Sequence, residues 1–133
     1  MGTSRNSITT RARLCALLIS SLAACTDLPP SSLTTINQQI NAACWNLDHP
    51  CRECVRRKIT ALEAAGFTPN ELRVQFGTTY SDEEQHVTLQ VRYYGSYYVL
   101  DNRDNRITGD SRMGVLYTWR VDGPEWAIVS AGR

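Results

Sequence analysis

Between Leu33 and Leu62 the apolar residues recur at helical spacing; from Leu72 onward they recur at every second position. Ile36, Ile40, Ala43 and Leu47 lie on one face of a helix predicted from about Leu33 to Asn46, with Ser32 as its cap and Trp45 beside the stripe. Asp48-His49-Pro50 interrupts it. Val55, Ile59 and Leu62 then follow at i, i+4 and i+7, which predicts a second amphipathic helix. Pro50 suits its first position, where a missing N–H costs nothing, and Gly66 suits its C-terminal cap. Leu72, Val74 and Phe76 alternate with polar residues and predict a strand. Gly77 to Gln85 reads as a polar loop. In His86 to Tyr93 the apolar face is Val87, Leu89, Val91 and Tyr93, and His86, Thr88, Gln90 and Arg92 face the other way. Gly95-Ser96 marks a turn, Tyr97 to Leu100 a return strand, and 101–110 a turn-rich, solvated connection. Val115 to Val121 reads as a strand and Glu125 to Val129 as a short last one. Two helices followed by four or five short strands predict an α+β domain, with N-terminal helices packed on a small antiparallel sheet.

The first 24 residues carry Arg5, Arg11 and Arg13 and no acidic residue. From Leu14 to Ala24 the chain is apolar apart from Ser20 and Ser21, a run of about 11 residues. That is too short to span a bilayer and right for a signal-peptide core. It ends in Leu22-Ala23-Ala24-Cys25, which resembles a bacterial lipobox. Residues 1–24 are therefore expected to be a signal peptide and Cys25 the lipidated N-terminus of a periplasmic, membrane-anchored lipoprotein; cleavage with Cys25 as a bystander is the alternative. Residues 25–32 hold two prolines and two serines and read as a tether, leaving 33–133 as one domain. Removing the first 24 residues takes away three of fourteen basic residues and none of thirteen acidic ones, so the mature chain is about −2. With no basic stripe, nucleic acid is not an expected partner.

The chemistry centres on His49-Pro50-Cys51-Arg52-Glu53-Cys54. Cys51 would sit in the first turn of the second helix, among unpaired N–H groups at the positive end of the helix dipole, where a thiolate is favoured. Cys44, Cys51 and Cys54 remain after export, an odd number in an oxidising compartment. A Cys44–Cys54 bridge leaving Cys51 free competes with Cys51 as a half-cystine. Cys51-x-x-Cys54 also fits half a zinc site or a redox pair, but a second cysteine pair and a βαβ context are both missing. A thiol nucleophile needs a base and a group that orients it. Of the two histidines, His49 is close to Cys51 in sequence and His86 opens a strand; Asp101 ends the next strand. A four-residue loop, Arg92 to Gly95, would set His86 opposite Asp101, with Cβ atoms about 4.5–5.5 Å apart. A tighter turn at Gly95-Ser96 would pair Gln90 with Asp101 and leave His86 about 13 Å from it. Spacing leaves both registers open. Arg56-Arg57-Lys58 reads as a solvated helix face.

Three blocks resemble the bacterial transglutaminase-like cysteine peptidases, a papain-like family of exported proteobacterial proteins. They are Cys51 through Lys58 with Leu62, Ala65-Gly66-Phe67 and Leu72-Arg73; then Gln85-His86-Val87-Thr88-Leu89; then Tyr98-Val99-Leu100-Asp101-Asn102. Tyr117 and Trp126 match late family positions, so the likeness covers about 33–129. The resemblance implies a papain/transglutaminase-like fold and a peptidase with Cys51 as nucleophile, His86 as base and Asp101 as its orienting group, acting on a protein or peptide substrate. The alternative it leaves is a catalytically degenerate member that binds a partner polypeptide, or a structural lipoprotein. Pro50 and Arg52 stand where the family has residues that, in some members, help to bind calcium, so no metal and no cofactor is expected.

Overall fold

The computed structural model describes residues 22–47 and 50–132. It has α1 (Leu22–Cys44), α2 (Pro50–Ala64), a 3-10 turn (Pro69–Glu71), β1 (Leu72–Thr79), β2 (Gln85–Tyr93), β3 (Ser96–Asp101), β4 (Asp104–Thr108), β5 (Met113–Arg120) and α3 (Pro124–Ala131). The strands form one antiparallel sheet in the order β4-β3-β2-β1-β5. The expected α+β architecture is the observed one. Val55, Ile59 and Leu62 of α2 pack on Leu72 and Val74 of β1, on Val87, Leu89 and Val91 of β2, and on Leu100 of β3, with Leu33 and Trp126 closing the core.

α2 follows its sequence signals closely. Pro50 is its first residue, and Gly66 takes φ 104°, the left-handed conformation that ends many helices. Phe67 N–H then reaches back to Leu62 O at 3.0 Å.

Several expectations are corrected. The first helix begins at Leu22 and not near Leu33, so it runs through 25–32, and Ser32 is inside the helix and buried instead of capping it. Ala and Leu at 22–24 are strong helix formers, whereas Pro29 and Pro30 remove two donors from the helix. The rest of the expected signal peptide, 1–21, lies outside the described residues, as do Asp48 and His49. Among the described residues no helix is long and apolar enough to cross a membrane.

The inward face of α1 is also turned. Leu33, Asn37, Asn41 and Cys44 are buried, while Ala43 and Leu47 are exposed and Ile36 and Ile40 are only half-buried. The reason is polar. Asn37 Nδ2 donates to Asp104 O at 2.7 Å and Asn41 Nδ2 to Asp101 O at 2.9 Å, so the amides tie α1 to the β3–β4 corner. Cys44 is held by a disulfide to Cys54, with Cα atoms 5.6 Å apart, and Cys51 is left free. This excludes a Cys51–Cys54 redox pair in this state.

Part of the run 101–110 is β4, and 125–129 is helical, not a strand. Pro124 presets the backbone angle for a first helical turn behind Gly123, and five residues are too few for alternation to be diagnostic. The bridge between Cys44 and Cys54 spans a sequence separation of 10. Chain-entropy arguments give about 2–3 kcal/mol for so short a loop. The Cys44→Ser/Cys54→Ser double variant is expected to lose that much, read as a lower urea midpoint; an unchanged midpoint would show that the bridge adds nothing.

Candidate active site

The β2–β3 hairpin decides the site. Its register pairs Tyr93 with Ser96 and Leu89 with Leu100, a register between the two expected ones. The reason is the turn. Tyr94 and Gly95 both take positive φ, 49° and 80°, which makes a two-residue hairpin loop with the twist that antiparallel strands prefer. Asp101, one step past Leu100, therefore lies across from Thr88, two residues from His86 and on the same face. A diagonal of this kind is still within reach of long side chains.

Reach is what is observed. His86 Nε2 is 2.7 Å from Asp101 Oδ1, and His86 Nδ1 is 3.1 Å from Cys51 Sγ. The structure thus brings together Cys51 from the first turn of α2, His86 from the start of β2 and Asp101 from the end of β3. Asp101 accepts through Oδ1, so Nε2–H is the donor on that side and Nδ1 is the nitrogen that serves the sulfur. The same Oδ1 accepts from Arg103 N–H at 2.9 Å, which fixes the carboxylate from behind. Arg103 in turn binds Asp82 at 3.2 Å and Glu84 at 3.0 Å.

The electrostatics follow from this contact set. Burial by itself would raise the Cys51 thiol, but the hydrogen bond and charge of His86, the charge of Arg103 and the Val87 backbone N–H together hold it below its ordinary value. Burial likewise opposes a charged His86. The Asp101 carboxylate and the Cys51 sulfur outweigh it and push the imidazole up to about 9. Asp101 is lowered despite its burial, first by its bond to His86. The favoured state is therefore a thiolate–imidazolium pair with a carboxylate behind it.

An open cleft of about 640 Å³ lies over the sulfur. Pro50, Cys51 and Arg52 line it from α2, Phe76 from β1, Val87 from β2 and Val129 from α3. Arg52 donates to Val129 O at 3.1 Å and so closes the cleft wall against the end of α3. The described residues flanking Cys51 do not suit a calcium ion, which takes six to eight oxygen ligands. Arg52 is a cation, and Glu53 is paired with Arg56 at 3.7 Å. Among the described residues no group of three or more His, Cys, Asp or Glu side chains gathers as a metal site.

Three contributors escaped the sequence reading. Arg103 and the Val87 N–H belong to a loop and a backbone that spacing does not reveal. Lys58 had a signal. It lies at i+7 from Cys51 and between Val55 and Leu62, on the inward stripe, and it is 0 % exposed where a solvated face was expected.

No protein-family model and no curated relative matches this sequence. Solved structures do. Legionella pneumophila LapG matches with a TM-score of 0.59 at 15% identity, over 92% of this chain and 77% of that one. The same protein in its calcium-bound form matches with 0.58 at 14%, over 92% and 79%. Its EGTA-treated form matches with 0.59 at 15%, over 92% and 77%. At this identity the likeness speaks for the fold, which is transglutaminase-like.

Proposed function

We propose that this protein is an exported cysteine peptidase that hydrolyses peptide bonds of a protein substrate through Cys51, His86 and Asp101. The observation that carries the reading is the unbroken contact line from the free Cys51 sulfur through both ring nitrogens of His86 to Asp101. The transglutaminase-like fold supports it. In the proposed cycle the Cys51 thiolate attacks the substrate carbonyl carbon. The carbonyl π pair moves to oxygen, and N–H groups at the start of α2 stabilise that oxyanion. As the C–N bond breaks, His86 Nδ1–H protonates the leaving amine and a thioester remains. A water molecule then attacks the thioester while Nδ1 takes its proton, releasing the carboxylic acid and restoring the sulfur. Asp101 stays ionised and keeps Nε2–H pointed at itself. Export, with a lipid anchor at Cys25, belongs to the same proposal and rests on the charge and apolar pattern of 1–25.

The test is a pH series of limiting iodoacetamide on the unreduced protein, with label mapped by mass spectrometry. Cys51 is expected to react well below the ordinary thiol value of about 8.5. Hydrolysis of a denatured protein substrate should give a bell-shaped profile. Its acid limb is protonation of the Cys51 thiolate, and its alkaline limb, near 9, is loss of the His86 proton. A Cys51 that labels only like an ordinary thiol would overturn the reading and leave a binding protein.

A further inference from the structure

Lys58 is a charged side chain with 0 % exposure, and its Nζ has no hydrogen-bond partner among the described residues. A buried ammonium with no partner is costly, and a protein rarely keeps one without a nearby anion. Lys58 lies two helical turns beyond Cys51 on the same face of α2, about 10 Å along the axis. Helical side chains lean toward the N-terminus of their helix, so the long lysine stem runs back toward Cys51. The charges that favour its ammonium are Asp101, at the end of β3, and Cys51, on its own helix. From α1 the polar groups that reach the β3–β4 corner are the uncharged amides of Asn37 and Asn41, bound to Asp104 O and Asp101 O; the other charged groups of the cluster are His86 on β2 and Arg103 after β3.

We propose that Lys58 is a positioning residue for the reactive unit: its buried charge, on the inward face of the helix that carries Cys51, favours the anionic forms of Cys51 and Asp101 and so keeps the imidazole of His86 between two negative partners. The proposal rests on the reading of Cys51, His86 and Asp101 as one unit, and it assigns a role to a group that the reaction itself does not use. The coupling to Asp101 is seen from both partners, and the coupling to Cys51 from the lysine. Lys58 lowers the Asp101 carboxyl, and Asp101 and Cys51 oppose the effect of burial on Lys58. Burial nonetheless brings Lys58 down to about 7. Its charge is therefore complete only below that pH.

The experiment compares the pH dependence of Cys51 alkylation by iodoacetamide in the wild-type protein and in Lys58→Met, Lys58→Gln and Lys58→Arg, with label mapped to Cys51. Both charge-free variants are expected to move the acid limb up by about one pH unit, the usual effect of losing a nearby opposite charge. Lys58→Arg is expected to keep the wild-type limb. The charge-free variants should unfold at the same or higher urea, because the cost of an unpaired buried charge is gone. A purely structural lysine would give the reverse, a lower urea midpoint with an unmoved pH profile. Two charge-free variants are used so that one poorly folded protein does not decide the matter. If wild-type Cys51 has a low acid limb and either folded charge-free variant keeps it, the role of Lys58 is refuted while the peptidase reading stands. If wild-type Cys51 titrates as an ordinary thiol, the peptidase reading itself fails.

Discussion

His86→Ala is expected to reduce Cys51 alkylation at pH 6 by about ten- to a hundredfold and to reduce peptide hydrolysis by about a thousandfold or more. In the intact site the thiolate is held by the imidazolium 3.1 Å away, against the burial that would otherwise raise the thiol. Without the ring, Arg103, the Val87 N–H and the helix terminus still favour the anion, and burial opposes them. A thiol with the ordinary pKa of about 8.5 is only about 0.3% thiolate at pH 6. A more basic thiolate is intrinsically the better nucleophile, which offsets part of that loss and limits the effect on alkylation. Hydrolysis suffers more, because the leaving amine also loses its proton donor. The check is the label recovered on the Cys51 peptide at pH 6, beside turnover of a denatured protein. Equal labelling of the variant and the wild type would mean that the 3.1 Å contact does not activate the sulfur.

Asp101→Asn is expected to lower kcat by about a hundred- to ten-thousandfold and to collapse the alkaline side of the pH profile. Asn is nearly the same size, so the Arg103 N–H can still be accepted and the β3–β4 corner should hold. What disappears is the negative charge 2.7 Å from Nε2. Burial, which disfavours the imidazolium, is then opposed by the Cys51 sulfur without the help of the carboxylate. The sign is therefore definite. A raised histidine pKa keeps the proton up to about 9, and removing the first cause of that rise makes the proton leave at lower pH. The thiolate loses its counter-charge over most of the neutral range, so alkylation of Cys51 at pH 8 should fall along with hydrolysis. The check is the full pH–rate profile with the urea midpoint as a fold control. An alkaline limb still near 9 in a folded Asp101→Asn protein would show that the carboxylate does not set the charge of His86.

How much of this was legible depends on whether a property is local. The α2 signals are local: an apolar stripe, a proline at the first position and a glycine past the end, and each was found where it was expected. Local patterning misled where the interior is polar. On α1 the half-exposed Ile36 and Ile40 look like the core face, yet Asn37 and Asn41 occupy it, because two strands bring backbone carbonyls for their amides to meet. Lys58 was misjudged for the same kind of reason. Charge is a good guide to exposure only when no buried anion waits for it, and Asp101 is 43 positions away in the chain.

By itself, the sequence determined the class of the domain, the helix that carries Cys51, the strands that carry His86 and Asp101, and the shortlist of residues able to do nucleophilic chemistry. Those follow from period, caps and residue type, which act over a few positions. Tertiary structure alone decided whether the three residues meet. That depended on a single register, set by positive φ at Tyr94 and Gly95, because each one-residue shift of the hairpin loop moves Asp101 relative to His86. It also depended on the Cys44–Cys54 bridge, which leaves Cys51 as the free thiol, and on the burial that turns short contacts into strong electrostatic coupling. These are properties of separations in space, and no local pattern in the chain records them.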